Sequence, residues 1–64
     1  MTDDPRAWTT FDPNLRIDTH ASEYGNTVVI THLPTGLQEA EGKSTNPLIN
    51  RDIAMARLKA RVAG

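Results

Sequence analysis

The sequence contains no cysteine, three aromatic residues and no apolar stretch of membrane-spanning length. Without cysteine, the chain can form neither a disulfide, a thiolate metal site nor a cysteine nucleophile. A transmembrane helix needs about 20 apolar residues, and the run Val28–Ile30 is far shorter than that. Charged residues are scattered through the first 20 positions, where a signal peptide would need an apolar run. We therefore expect a soluble, cytoplasmic domain with no membrane partner.

The chain of 64 residues is long enough for a single domain of marginal stability. We expect an irregular N-terminal arm over residues 1–14, where two Asp-Pro steps interrupt regular structure, followed by a domain over residues 15–64. Within the arm, Trp8 and Phe11 are candidate interface residues for a protein partner. Alternatively, they lie across a hydrophobic edge of the domain and add buried area to its core.

The sequence predicts three antiparallel strands: residues 15–23 alternate between apolar and polar, residues 27–33 are rich in β-branched side chains, and residues 37–41 are short and polar. A two-residue turn at Gly25-Asn26 joins the first two strands and would place Ala21 opposite Ile30. Pro34 and Gly36 supply the second turn, because proline presets φ at one corner and glycine tolerates the left-handed conformation. The third strand is short and polar, which is typical of the edge of a sheet.

A helix is predicted over residues 47–62, with Asn46 as its N-cap and Pro47 in its first turn. An apolar stripe runs along one side of it, formed by Leu48, Met55, Leu58 and Val62. The fold class is therefore α+β: a three-stranded antiparallel β-meander with one C-terminal helix packed on one face (β-β-β-α). We expect the core to contain Ile17, Val28, Ile30, Met55, Leu58 and Val62.

The two parts of the chain carry opposite charge, although the formal net charge is only −1. Residues 1–42 hold seven acidic and two basic residues, whereas residues 43–64 hold five basic residues and one aspartate. The basic residues of the second part are candidate contacts for RNA phosphates: Lys43, Arg51, Arg57, Lys59 and Arg61. The alternative is a solvated helix whose cations interact with its C-terminal dipole. If phosphates are the partner, reversing the charge of Arg57 and Arg61 should weaken binding without disturbing the packing.

Three segments of the chain carry recognisable motifs. They read Arg-Ile-Asp-Thr at residues 16–19, Ile-Thr-His-Leu-Pro-Thr-Gly at 30–36 and, in the predicted helix, Asn50-Arg51, Ala54-Met55, Leu58 and Ala60-Arg61. Over residues 15–62 the chain resembles the catalytic domain of bacterial class I peptide chain release factors. The motif at residues 30–36 is specific, whereas the helix motif alone would be weak. The resemblance implies the ribosome, or ribosomal or transfer RNA, as partners.

The chain departs from that family where the family performs catalysis. Release factors carry a Gly-Gly-Gln loop between the two motif strands, and this chain has only residues 23–29 in that interval. The Arg and Gln of the family's loop before the helix are also missing from residues 44–50. Hydrolysis of peptidyl-tRNA needs groups within about 3 Å of the reacting atoms, and the one glutamine, Gln38, lies in the third strand. We therefore expect no catalytic residues and no enzymatic activity.

The two histidines do not form a metal or catalytic site in the predicted sheet. His20 and His32 lie on opposite faces there, and a zinc site generally requires three or four protein ligands. We expect His32, opposite Thr19, to be a structural hydrogen-bonding residue, and we expect neither a metal nor a cofactor.

Two functions remain open from the sequence. The first is a non-catalytic protein that binds the ribosome or its RNA and modulates translation termination or rescue. The alternative is a protein-binding adaptor or homo-oligomer, of phage or mobile-element origin, that uses the exposed third strand and the Trp8 and Phe11 arm. RNA-driven binding should weaken steeply with salt, whereas an apolar protein interface should not.

Overall fold

The computed structural model describes residues 4–23 and 25–64 of the chain. Three strands precede one helix: β1 (Leu15–Ser22), β2 (Gly25–His32), β3 (Gln38–Glu41) and α1 (Pro47–Ala63). Strand β2 lies between β1 and β3, and both pairings are antiparallel. The predicted β-β-β-α architecture is confirmed, with the short third strand at one edge of the sheet.

The core lies between α1 and the part of the sheet that β2 and β3 form. The buried apolar residues are Trp8, Val28, Ile30, Ala54, Met55 and Leu58. Ile17 and Val62, also predicted as core, pack against this cluster but are only partly buried. Leu48, which the predicted stripe included, is 58% exposed. It precedes the fully buried Asn50 by two residues, about 200° round the helix, and therefore cannot face the sheet together with it.

The first hairpin has a different register from the predicted one. Ser22 pairs with Gly25, and Ile30 lies opposite Ile17 instead of Ala21. Gly25 does adopt a positive φ of +138°, but as the first residue of β2 and not inside the turn. The difference is a slip of four residues along β1. Because four is an even number, every side chain keeps its predicted face of the sheet.

Asn50 explains where this turn falls. Its buried side chain donates to the main-chain carbonyls of Asn26 and, at 2.8 Å, of Ser44, and it accepts the Ser44 N–H at 3.1 Å. The Asn26 side chain in turn donates to the Thr45 carbonyl at 3.2 Å. These bonds hold Asn26 within β2 beside the start of α1, so the chain must reverse its direction before Gly25.

The second turn forms as the sequence predicts. Gly36 has a φ of +75°, in the left-handed region that favours glycine. Its N–H donates to the His32 carbonyl at 2.8 Å, and the His32 N–H donates to the Leu37 carbonyl at 2.8 Å. This closed turn starts β3 in a fixed position against β2.

His32 has a structural position at the end of β2. The side chain is fully buried, and its Nδ1 lies 2.8 Å from the Thr35 hydroxyl. Its ring stacks on Trp8 with a centroid separation of 4.8 Å. The predicted hydrogen-bonding role is therefore observed, but Leu15, and not Thr19, lies opposite His32.

The N-terminal arm begins in a short 3-10 turn, Pro5–Ala7, that Asp4 caps. Hydrogen bonds from the Arg6 side chain and main chain hold the pKa of the Asp4 carboxyl below its ordinary value. Residues 1–3 of the predicted arm lie outside the described residues. Trp8 adds buried area to the core, whereas Phe11 is 91% exposed.

Candidate nucleic-acid interface

Two of the predicted RNA contacts, Arg57 and Arg61, form ion pairs with β3. Arg57 Nη1 lies 3.0 Å from Glu41 Oε1, and Arg61 Nη1 lies 2.8 Å from Glu39 Oε2. Four helix residues rise about 6 Å and two strand residues advance about 6.6 Å, so the two arginines match the two glutamates in spacing. The Glu41 side chain is only 8% exposed. Arg57 therefore compensates a carboxylate that would otherwise be buried without a partner.

The same two arginines close the outer edge of β3. In the β2–β3 pairing, Gln38 and Ala40 direct their main-chain groups away from β2, because these groups alternate along a strand. Arg61 Nη1 donates to the Gln38 carbonyl at 3.0 Å, and Arg57 Nη1 donates to the Ala40 carbonyl at 3.4 Å. Charged side chains that occupy an edge make it a poor template for another strand. This arrangement argues against the predicted use of the third strand as an interface.

Because both arginines bond to β3, we expect their charge reversal to disturb the packing, contrary to the prediction from the sequence. Combining Arg57→Glu with Arg61→Glu should lower the free energy of unfolding by about 2–4 kcal/mol, since it removes both ion pairs and sets like charges beside the nearly buried Glu41. Urea unfolding measures the loss. The matched control is Lys43→Glu with Lys59→Glu, which changes the net charge equally. An equal loss of stability in both double variants would contradict the structural role of the arginines.

The remaining cations of the basic part differ in their partners. Arg51 pairs with its neighbour Asp52 at 3.2 Å. For Lys43 and Lys59, the described residues supply no carboxylate within ion-pair distance. Lys43 is exposed and Lys59 is half-buried. These two lysines therefore retain a charge that an external anion can neutralise.

The structure does not gather the five predicted cations into one patch. Arg57 and Arg61 lie on the flank of α1 that faces β3. Lys59 follows Arg57 by two residues and so lies about 200° round the helix, on the other flank. Lys43 belongs to the loop before α1, whose residue Ser44 is bonded to Asn50. Lys59 therefore lies apart from the ion-paired arginines, and Lys43 lies near the start of α1.

The connection between β1 and β2 is short. Only two residues lie between Ser22 and Gly25, which pair with each other. Gln38 lies opposite Thr31, toward the other end of β2. The described residues form no pocket and no group of three His, Cys, Asp or Glu side chains able to hold a metal ion.

The two candidate protein-interface residues have different positions. Trp8 is 6% exposed and belongs to the core, whereas Phe11 is on the surface. The main-chain N–H of Phe11 donates to the Thr9 hydroxyl at 3.2 Å, which orders the backbone beneath the exposed ring. Of the two candidates, Phe11 alone presents its ring to solvent.

Comparisons with known proteins do not assign the chain to a family. No protein-family model matches it, and the comparisons with curated protein sequences and with solved structures find no match. Within the described residues, α1 falls short of the length and apolarity that crossing a membrane requires.

Proposed function

We propose that this chain is a release-factor-like domain without a catalytic loop that binds the ribosome or its RNA and modulates termination or rescue. One observation carries the binding part: Lys43 and Lys59 belong to the basic part of the chain and have no ion-pair partner among the described residues. Cations of this kind attract phosphates and release counterions on binding.

The residues that carry the family resemblance have structural roles in the fold, which supports the proposal of a release-factor-like domain. His32 closes the second turn and contacts Trp8, and Asn50 fastens the start of α1 to β2. Leu58, from the same helix motif, is fully buried in the core. The motifs therefore coincide with positions that hold the fold together. The short connection between Ser22 and Gly25 supports the non-catalytic part, because it leaves no room for a loop that reaches a substrate.

The proposal assigns different roles to the five predicted cations. Lys43 and Lys59 contact phosphates, and Arg51 adds to the charge of the basic part although Asp52 partly compensates it. Arg57 and Arg61 position β3. Two or three contacts of this kind give a weak, salt-sensitive association in isolation. The acidic residues 1–42 repel phosphates elsewhere on the domain, which restricts the orientation in which RNA can approach.

Binding is tested by cosedimentation with ribosomes across a series of salt concentrations. Lys43→Glu with Lys59→Glu should lower the affinity at least about tenfold and flatten the slope of log affinity against log salt by about two. The control, Arg6→Glu with Arg16→Glu, makes the same change in charge within the acidic part, at two exposed residues. If both double variants lost the same affinity, the effect would be one of net charge and not of these two lysines. If the lysine variant bound ribosomes as the wild type does, the proposal would be wrong.

A second candidate function, protein binding through the N-terminal arm, is favoured by the 91% exposure of Phe11. In that case a Phe11→Ser variant should lose its partner, while the lysine double variant retains it. The association should also change little with salt, because an apolar contact is not screened.

A further inference from the structure

Within the described residues, no strand pairs with the outer edge of β1. Asn14 accepts the Leu33 N–H at 2.8 Å, so the even-numbered residues of this ladder direct their main-chain groups toward β2 and the odd-numbered ones direct theirs outward. The outward residues are Leu15, Ile17, Thr19 and Ala21. The Leu15 N–H donates to the Asp12 carbonyl at 3.0 Å. For the other outward groups, the described residues provide no hydrogen-bond partner.

The two edges of the sheet therefore differ in a way that bears on association. On β3, Arg57 and Arg61 occupy the outward carbonyls. On β1 nothing comparable is present among the described residues, and α1 packs on β2 and β3. As a result, Thr19 and Ala21 are exposed, although Thr19 shares a face with the buried Val28. Within the described residues, β1 thus has both an unpaired edge and, at Thr19 and Ala21, an inner face that α1 does not cover.

We propose that β1 pairs in antiparallel fashion with β1 of a second copy of this chain, about a two-fold axis at Thr19. Hydrogen bonding requires outward residues to lie opposite outward residues, which limits an axis near the middle of the strand to Ile17, Asp18, Thr19 or His20. An axis at Asp18 would place two aspartates directly opposite each other, which is unfavourable. The sequence of the strand itself thus rejects one of the four alignments.

Overlap and charge select among the other three alignments. An axis at Thr19 pairs residues 16–22 of both copies, whereas an axis at Ile17 pairs only residues 15–19 and an axis at His20 only residues 18–22 of the strand. With the axis at Thr19, the Asp18 carboxylate lies opposite the imidazole of His20 in the second copy, on the exposed face of the sheet. On each side of the axis, a carboxylate that accepts hydrogen bonds therefore faces an imidazole that can donate one.

The main-chain groups that β1 leaves open are used in this arrangement. Thr19 exchanges its two hydrogen bonds with Thr19 of the second copy, and Ile17 exchanges bonds with Ala21. On the inner face, Ile17 of one copy lies beside Ala21 of the other, which covers apolar surface that α1 leaves open. Residues opposite each other share a face, so both helices lie on the same side of one continuous sheet.

Sedimentation equilibrium over a wide concentration range tests the proposal. Wild type should show a monomer–dimer equilibrium, and Thr19→Pro should raise the dissociation constant at least about tenfold, because two hydrogen bonds across the axis are lost. Proline is tolerated here since the Thr19 N–H makes no bond within the sheet. Ala40→Pro, which removes an outward N–H from β3, is the matched control and should change the constant less than about twofold. A wild type that stays monomeric, or equal effects of both prolines, would overturn the proposal.

Hydrogen exchange on the wild-type protein gives a second measurement that does not depend on the folding of a variant. The amide hydrogens of Ile17, Thr19 and Ala21 should exchange more slowly as the concentration rises, because they become hydrogen-bonded. The outward amide of Ala40 should not respond. Protection that rises at Ala40, or that does not rise at Thr19, would assign the contact to another surface and exclude β1 as the seam.

Discussion

Asn50→Ala is expected to lower the free energy of unfolding by about 3–5 kcal/mol, because it removes three hydrogen bonds to part-buried main-chain groups. The Asn50 side chain is fully buried and bonds to the Asn26 carbonyl and to both main-chain groups of Ser44. A domain of this size holds roughly 3–10 kcal/mol in total. The variant should therefore be largely unfolded at room temperature, as measured by circular dichroism and by urea unfolding.

The matched control is the same substitution at Asn46, the exposed N-cap of α1. Its side chain accepts the Leu48 N–H at 2.9 Å, and water can replace that bond. Asn46→Ala should cost only about 1 kcal/mol. If both asparagine variants lost the same stability, the bonds of Asn50 to β2 would not be what holds the start of α1 in place.

Leu58→Ala is expected to cost about 2–5 kcal/mol, because it removes apolar contacts and opens a cavity between α1 and the sheet. Leu58 is fully buried in the cluster that contains Val28 and Ile30. The free energy of unfolding from urea titration provides the measurement, with Leu48→Ala as its control. Because Leu48 is 58% exposed, its substitution should change stability by less than about 1 kcal/mol. A cooperative transition of Leu58→Ala close to that of the wild type would show that α1 packs through another face.

Secondary structure was predictable from this sequence to within a residue or two, because periodicity and capping are local signals. Alternation between Leu15 and Ala21 identified β1, and Asn46-Pro47 marked the start of α1. Register was not predictable in the same way. An alternating pattern fixes which face a residue occupies, but it is unchanged by a slip of an even number of residues. The glycine at position 25 suggested one alignment, and the contacts of Asn26 with residues distant in sequence selected another.

In the candidate site, the basic residues were likewise predictable from the sequence, whereas their ion-pair partners were not. The excess of basic residues after position 42 was visible from the sequence, but the carboxylates that oppose Arg57 and Arg61 come from another element. A usable signal was present: Glu39 and Glu41 share one face of a strand, and the arginines are one helical turn apart. Combining the two spacings would have predicted the ion pairs. Charge alone, without these spacings, predicts the same arginines as RNA contacts.

The arginine closure of β3 also determines how large an assembly through the sheet can become. A protein with two free edges joins head to tail and polymerises into filaments, as open helical arrays do. In the described sheet, β1 is the edge left open, so pairing of β1 with β1 of a second copy occupies the open edge of both molecules. The assembly therefore stops at a closed two-fold dimer. A higher protein concentration increases the fraction of dimer but does not produce fibres.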